Sequence, residues 1–415
     1  MSRVADKTAR KKVAAVITGA DHPTGLGTAR ALKGEGATLI GFCSNPGSRY
    51  CTSNSWDQII TVDSNEEALL KAIIKLGRSS DFEQMLLFPS QDEFVELVSA
   101  HREELERYYE FVLPERESIN LLLNKALFYP WARGNGYPVP ESHIVSTREE
   151  LEKVLSDMKF PVILKTALRT REWDKHSPLE KVITLNKRDD ISDIGFDIFS
   201  VSKKYLVQQW IPGKDKNIFF CLIYFDRNGR ELGHFTGRKL VQWPLNNGST
   251  AACVSAPDDV IYPLAREVLM SAGMKGLGSL EVKLNELDRR YYIIEPTVGR
   301  NDLQSYLAVA GGINLTSMAF KDAIGEKVET EDNRREAAWI DENGLLEAFL
   351  AAPGKKQILE LLQRQVRGKK ISFSHFCVSD IKPFLSLSKN LFTSKIKSSM
   401  RNISKNGAAC SSKKY

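Results

Sequence analysis

Between Val13 and Leu113 short apolar runs alternate with amphipathic stretches, and this rhythm leaves few folds open to the chain. VAAVITG, ATLIGFCS, QIITVD and MLLFPS read as strands. TGLGTARALKGEG, NEEALLKAIIKLGRSS and DEFVELVSAHREELERYY read as helices, with apolar residues three and four apart. Strands that alternate with helices imply a parallel sheet covered on both faces. The glycine turn Gly19-Ala20-Asp21-His22-Pro23-Thr24-Gly25-Leu26-Gly27 sits where a dinucleotide's pyrophosphate would bind, but its spacing is not GxGxxG. The second strand ends in Gly41-Phe42-Cys43-Ser44, without the acidic residue that holds a ribose hydroxyl. A tight turn that packs a helix on its strand is the preferred reading, and a nicotinamide dehydrogenase is the distant rival.

From Ser118 the pattern changes. SINLLLNKALFYPWARGNG is expected to be one helix, and YPVPESHIV leads through prolines into a strand. TREELEKVLSDMK is a helix with a capping box formed by Thr147 and Glu150. FPVILKTA, KVITLN, YLVQQWIPG, IFFCLIYFD, GHFTGRKLVQWP, LEVKLNE and YYIIEPTV follow as strands with few helices between them, an antiparallel-rich α+β region. After Gly325 the helices GLLEAFLAA and KKQILELLQRQV are expected.

At 415 residues the chain exceeds one compact core and is expected to form several packed domains. A net charge of +6 suits an anionic ligand such as a nucleotide but is not the field of a dedicated nucleic-acid binder. The six cysteines are scattered, with no CxxC pair, which argues for a reduced compartment and against zinc. No apolar run approaches the ~20 residues that span a bilayer, and Val13–Thr18 is too short for a signal-peptide core. A cytoplasmic protein is expected.

Five features then recur in order: Lys125, Lys165 at the end of PVILK, Gln208-Gln209-Trp210-Ile211 before Pro212-Gly213, Arg238-Lys239, and the strand-ending Glu281 and Glu295. Lysines neutralise phosphate oxygens as point charges. A strand edge pairs with adenine while an apolar residue such as Ile211 sandwiches the ring. Paired carboxylates offer hard oxygen ligands to Mg²⁺. Taken singly, each has an ordinary explanation as a solvated lysine, an ion-pair partner or a turn. Their order raises the reading above that.

This order resembles the ATP-grasp superfamily, specifically its predicted carboxylate–amine ligase branch, in ITGADHPTGLGTARAL, NKALFYPWARGNGYPVP, FPVILK, LVQQWIPG, GRKLVQWPLNNGST, GSLEVK and YYIIEPTVGRNDLQS. The resemblance implies a pre-ATP-grasp parallel-sheet domain over 1–117, followed by a two-subdomain ATP-grasp fold over 118–205 and 206–325. C-terminal helices and a basic tail then fill 326–415. It also implies ATP and Mg²⁺ as cofactors and a small-molecule carboxylate and amine as substrates. Lys125 and Lys165 would hold phosphates, Gln208, Gln209, Trp210 and Ile211 would frame adenine, and Lys216 would lie near the ribose or phosphates. Glu281 and Glu295 would hold the metal, while Arg238, Lys239 and Arg300 would face the acyl phosphate or substrate carboxylate.

Two departures from the family pattern stand out. Thr297 occupies the position of an asparagine metal ligand, which puts a second Mg²⁺ in doubt. ALRTREWDKHSP replaces the glycine-rich phosphate loop, so that Arg169, Arg171 and Trp173 either close over the phosphates or form a solvated turn. Family members that act on cell-envelope precursors or surface polysaccharide imply such a role here. Family likeness also favours a homodimer. A nucleotide-binding regulatory protein with weakened turnover is the alternative within the fold, and a carboxylase-like subunit ranks lower. Beyond Asp380 the chain has no acidic residue, and Phe384, Leu387, Leu391, Ile396, Met400 and Ile403 share one helical face ringed by basic residues. Such a helix lies on an anionic membrane or docks on the core.

Overall fold

The computed structural model describes residues 12–167, 182–194, 197–256, 259, 261–328 and 333–391. The first four strands are β1 (Val13–Ile17), β2 (Thr38–Cys43), β3 (Gln58–Thr61) and β4 (Gln84–Phe88). They form a parallel sheet in the order β3-β2-β1-β4. All five residues of the central β1 are buried, as an apolar strand between two helical layers must be. The helices Pro23–Leu32, Glu66–Ser79 and Asp92–Ala100 follow β1, β3 and β4. The expected long helix after β4 breaks at His101, and a short helix, Arg102–Leu105, follows.

The run from Ser118 to Gly136, expected as one helix, is two: Arg116–Leu123 and Lys125–Gly134. Asn124 separates them in an extended conformation and caps the second, its side-chain oxygen accepting from the Ala126 amide. The Lys125 amide donates to the Ala167 carbonyl, so the break ties this helix to a neighbouring strand.

That strand belongs to a second sheet of β5 (Ser142–Val145), β6 (Val162–Thr166), β7 (Ile183–Leu185) and β8 (Tyr205–Gln209). These pair antiparallel in the order β5-β8-β6-β7. The helix Arg148–Asp157 packs Leu151 and Leu155 on this sheet, and Thr147 caps it as expected. The Glu150 carboxylate reaches one residue further back than in the usual box, accepting from the Ser146 amide.

The third sheet has seven strands: β9 (Ile218–Phe225), β10 (Glu231–Trp243), β11 (Ser249–Ser255), β12 (Gly276–Leu284), β13 (Tyr291–Val298), β14 (Ala337–Ile340) and β15 (Lys370–Phe373). The order is β13-β12-β9-β10-β11-β14-β15, antiparallel except for the β14–β15 pair. Sequence reading did not anticipate β11, β14 or β15, whose small residues and short lengths carry little periodic signal. It also passed over the helices Ile261–Ser271, Tyr306–Ala310 and Leu315–Ala323. The stretch after Gly325 therefore does more than add helices, because two of its strands extend this sheet.

The last described segment clasps the first sheet's domain. Arg30 and Asp380 are buried and paired at 2.9 Å, and Asp380 also accepts from the Ser53 hydroxyl (2.6 Å) and the Asn54 amide (2.9 Å). Nearby, Glu342 accepts from the backbone amides of His375 and Phe376, and the buried His375 ring nitrogen lies 3.1 Å from it. Residues 382–391 are helical, with Leu387 buried and Phe384 edge-on to Phe376, so this part of the basic helix docks inward. Ile396, Met400, Ile403 and the remaining tail lie outside the described residues. No helix among the described residues is long and apolar enough to cross a membrane.

Burial opposes the charge of Asp380, yet the Ser53, Asn54 and Arg30 donors outweigh it and hold the carboxyl below the usual range. A carboxyl depressed on folding stabilises the protein above its unfolded pKa, and that stability disappears as pH falls through the folded value. Asp380→Ala leaves Arg30 buried with carbonyl partners at Ser374 and His375 but no counter-charge, and should cost about 3–5 kcal/mol. Thermal unfolding at pH 7 and pH 3 checks this. The wild type and the variant should differ much less at the lower pH.

Candidate active site

The site is built where β12 and β13 face the ends of β6 and β8. In the antiparallel β12–β13 pair, Glu281 lies directly opposite Glu295. Like charges in direct register repel. Each carboxylate meets one lysine from elsewhere in the fold. Lys239 on β10 extends across β9 to Glu281 at 2.6 Å, and Lys125, at the start of its helix, lies 3.8 Å from Glu295. Lys239 is buried, with Gln242 at 3.5 Å as a second neighbour.

Strand alternation fixes which face these residues share. Leu280 and Val282 pack in a hydrophobic core, so Glu281 and Lys283 project to the other side. Lys283, which sequence reading missed, is buried with its ammonium 4.3 Å above the Trp210 ring. Burial pushes its pKa down to about 8, against the pull of Asp215, Glu286 and Glu281. The signal was present in LEVKL, where Lys283 follows Glu281 by two, but a strand lysine has no motif of its own.

On the second sheet, Lys165 is buried in β6 with its ammonium 3.5 Å from the Gln208 amide oxygen. Gln208 is fully buried on β8 and donates to the Ser142 hydroxyl. The chain leaves this sheet through Gln209, Trp210 and the buried Ile211, with the Gln209 and Trp210 amides donating to Glu141 and Pro161. The following turn is tied to the large sheet. Asp215 accepts from both the backbone and side-chain nitrogens of Gln242 at 2.9 and 3.0 Å, while Lys216 stays exposed.

Arg238 on β10 reaches away from the carboxylate pair to donate to Gln365 at 2.8 Å. Thr297 is buried, and its hydroxyl donates to Asp302, which also accepts from Ser279, the residue opposite Thr297 in the register. Gly299, at φ +70°, turns the chain after β13 where a side chain would strike Leu113 and Val95. Arg300 thereby meets Asp92, the first residue of the helix after β4, at 2.5 Å. Burial works against the Arg300 charge, but Asp92 and Asp302 outweigh it and raise its pKa. Asp92 was missed because its contact with Arg300 spans 208 positions of sequence, and Asp302 because its link to Thr297 and Ser279 depends on strand register. Arg169, Arg171 and Trp173 lie outside the described residues.

Lys125, Lys239, Glu281 and Glu295 therefore converge in direct contacts, with Lys283, Trp210, Lys165 and Gln208 in contact pairs beside them. Two opposed carboxylates with oxygen donors only suit a hard cation such as Mg²⁺. Lysines from three separate strands and one helix suit a polyanion.

No family model matches the chain. It is 25% identical over 310 residues to D-aspartate ligase of Enterococcus faecium (strain Aus0004), covering 70% of this chain and 73% of that one. Among solved structures it is similar to N5-carboxyaminoimidazole ribonucleotide synthetase in its ADP complex. That match has a TM-score of 0.60 and 14% identity, and covers 77% of this chain and 79% of the other. It is also similar to L-amino acid ligase from Bacillus licheniformis, with a TM-score of 0.57 and 16% identity over 76% and 75% of the two chains. The chain is thus similar in sequence to a D-aspartate ligase and shares its fold with these solved structures.

Proposed function

We propose that the chain activates a small carboxylate by phosphorylation from ATP and transfers the acyl group to an amine, in metabolism related to the cell envelope or its polysaccharides. The observation that supports this most is the opposed Glu281–Glu295 pair, each carboxylate balanced by a lysine from another element. The D-aspartate ligase relative makes an amino acid the first substrate to try.

In this reading adenine rests against the chain leaving β8, with the backbone of Gln209 and Ile211 at its edge and Ile211 and Trp210 at its faces. Lys165 and Lys125 hold phosphate oxygens, and Lys216 lies near the ribose. Mg²⁺ held by Glu281 and Glu295 would offset charge on the phosphates. The substrate carboxylate attacks the γ-phosphorus. Its C–O bond is kept, an O–P bond forms, and ADP leaves. The amine then attacks the acyl carbon, forms the C–N bond, loses a proton and expels phosphate. Lys239, buried beside Glu281, sits where negative charge accumulates on the moving phosphoryl group. Arg300 is held by Asp92 and would reach substrate from a fixed position, whereas Arg238 is engaged by Gln365 away from the carboxylate pair and takes no part in this step. Thr297 donates a hydrogen bond from its hydroxyl to Asp302 and acts as a support for that carboxylate.

The engagement of Thr297 also favours a second reading, a nucleotide-binding protein of weakened turnover. ADP release from ATP and Mg²⁺, measured against a panel of amino acids and amines, separates the two. Substrate-dependent release that Glu281→Gln and Lys165→Met each lower by about a hundredfold or more supports the ligase. ATP binding without release under any pair supports the second reading.

Asp92→Asn should weaken the hold on Arg300 and raise KM for the carboxylate or amine about tenfold, for one charged hydrogen bond. KM for ATP should stay within about twofold, because the bond from Asp92 goes to Arg300 while Lys125 and Glu295 feel its charge only through space. Steady-state kinetics with each substrate varied in turn would show it. A rise confined to the ATP term would contradict that placement.

A further inference from the structure

Lys283 has no place in the assignments above, yet it occupies the middle of the proposed nucleotide cleft. Strand spacing puts it roughly 7 Å from Glu281 on the same face, two residues further along β12. Its ammonium covers the Trp210 ring at 4.3 Å, and Trp210 belongs to the segment proposed to hold the base. The residue therefore stands between that segment and the carboxylate pair.

Its electrostatic setting differs from that of the other site lysines. Lys239 and Lys125 each lie within 4.0 Å of a carboxylate. Lys283 is buried, and among the described residues it has no carboxylate within 4.0 Å. Asp215 faces it from the turn after β8, Glu286 from the end of β12 and Glu281 from its own strand, while Lys239 repels it from β10. Asp215 is itself engaged by Gln242, and Glu281 by Lys239. A cation removed from water and held by a ring face and by carboxylates already shared is costly to maintain. An anion brought into the cleft would give it a full partner.

We infer that Lys283 grips the α-phosphate of the bound nucleotide and so fixes the distance between the base and the phosphoryl group to be transferred. The inference rests on the nucleotide reading of the site. With the base beside Trp210 and the outer phosphates toward Glu281 and Glu295, the anionic group of a nucleoside triphosphate that lies between them is the α-phosphate. A ribose hydroxyl also lies in that stretch, but it is neutral and would leave the lysine's charge unanswered. The ring beneath the ammonium restricts its swing, which suits a positioning role better than a mobile one.

AMP carries the α-phosphate and adenosine does not, so the pair isolates this contact. Displacement of a fluorescent ATP analogue by adenosine, AMP and ADP, with Mg²⁺ throughout, would be compared in the wild type, Lys283→Met and Lys283→Arg. Lys283→Met should lose about tenfold or more of the preference for AMP over adenosine. Its affinity for adenosine should not change, and Lys283→Arg should keep most of the preference. An unchanged preference in Lys283→Met would overturn the assignment. So would an equal loss for adenosine, which would make Lys283 a support for Trp210 and the base. A wild type that binds the analogue but does not prefer AMP to adenosine overturns it as well. Failure of the wild type to bind the analogue or any of the three would overturn the nucleotide reading along with it.

Discussion

Two carboxylates set opposite one another in neighbouring strands are unfavourable in isolation, and much of this molecule is arranged around that pair. Glu281 and Glu295 are locked into register by the backbone ladder of β12 and β13, so neither can retreat without breaking strand pairing. Relief has to come from cations on other elements. Lys239 arrives across β9, and Lys125 arrives on a helix whose start is fixed by the Asn124 cap and by a bond from its own amide to Ala167. The break between the two helices after Pro114 is thus a device for placing one ammonium. A continuous helix would have carried Lys125 in mid-turn, without the link to the second sheet.

Support for the pair extends outward. Ser279 and Thr297, the next residues along the same faces, share Asp302, and Arg300 joins that group to Asp92 on the first sheet's domain. Asp215 and Gln242 fasten the turn after β8 to β10. Contacts therefore tie the turn after β8 to β10, and β12 and β13 to the start of the helix that follows β4. A substrate that lies between these elements would touch parts of the chain that are about 200 residues apart, as Arg300 and Asp92 already are.

Much of this was legible in the residues. The parallel sheet showed as alternating apolar strands and amphipathic helices, because burial on both faces leaves an unbroken apolar run such as VAAVI. Lys125, Lys165, Glu281 and Glu295 stood out because their order along the chain is distinctive, although their mutual contacts depend on register that no local pattern encodes. Strands of small residues, such as STAACVS, did not show, since their place in the sheet is set by neighbours. Lys283 was overlooked for a different reason. Its meaning lies in the company of Trp210, 73 positions earlier, and neither residue is unusual in its own segment. Arg300 was foreseen as a free recognition group, and its ion pair with Asp92 appears only in three dimensions.

The clasp at Asp380 has a consequence for how the protein is made. The seven-stranded sheet that carries Glu281 and Lys239 gains its outer strands only from residues 337–340 and 370–373. Arg30, placed early in the chain, waits for Asp380 before its buried charge has a partner. Until the segment that carries Asp380 has been made and docked, the Arg30 guanidinium stays in water instead of in its buried pair. The seven-stranded sheet is therefore completed only after the segments that carry Lys239, Glu281 and Glu295 have already been made.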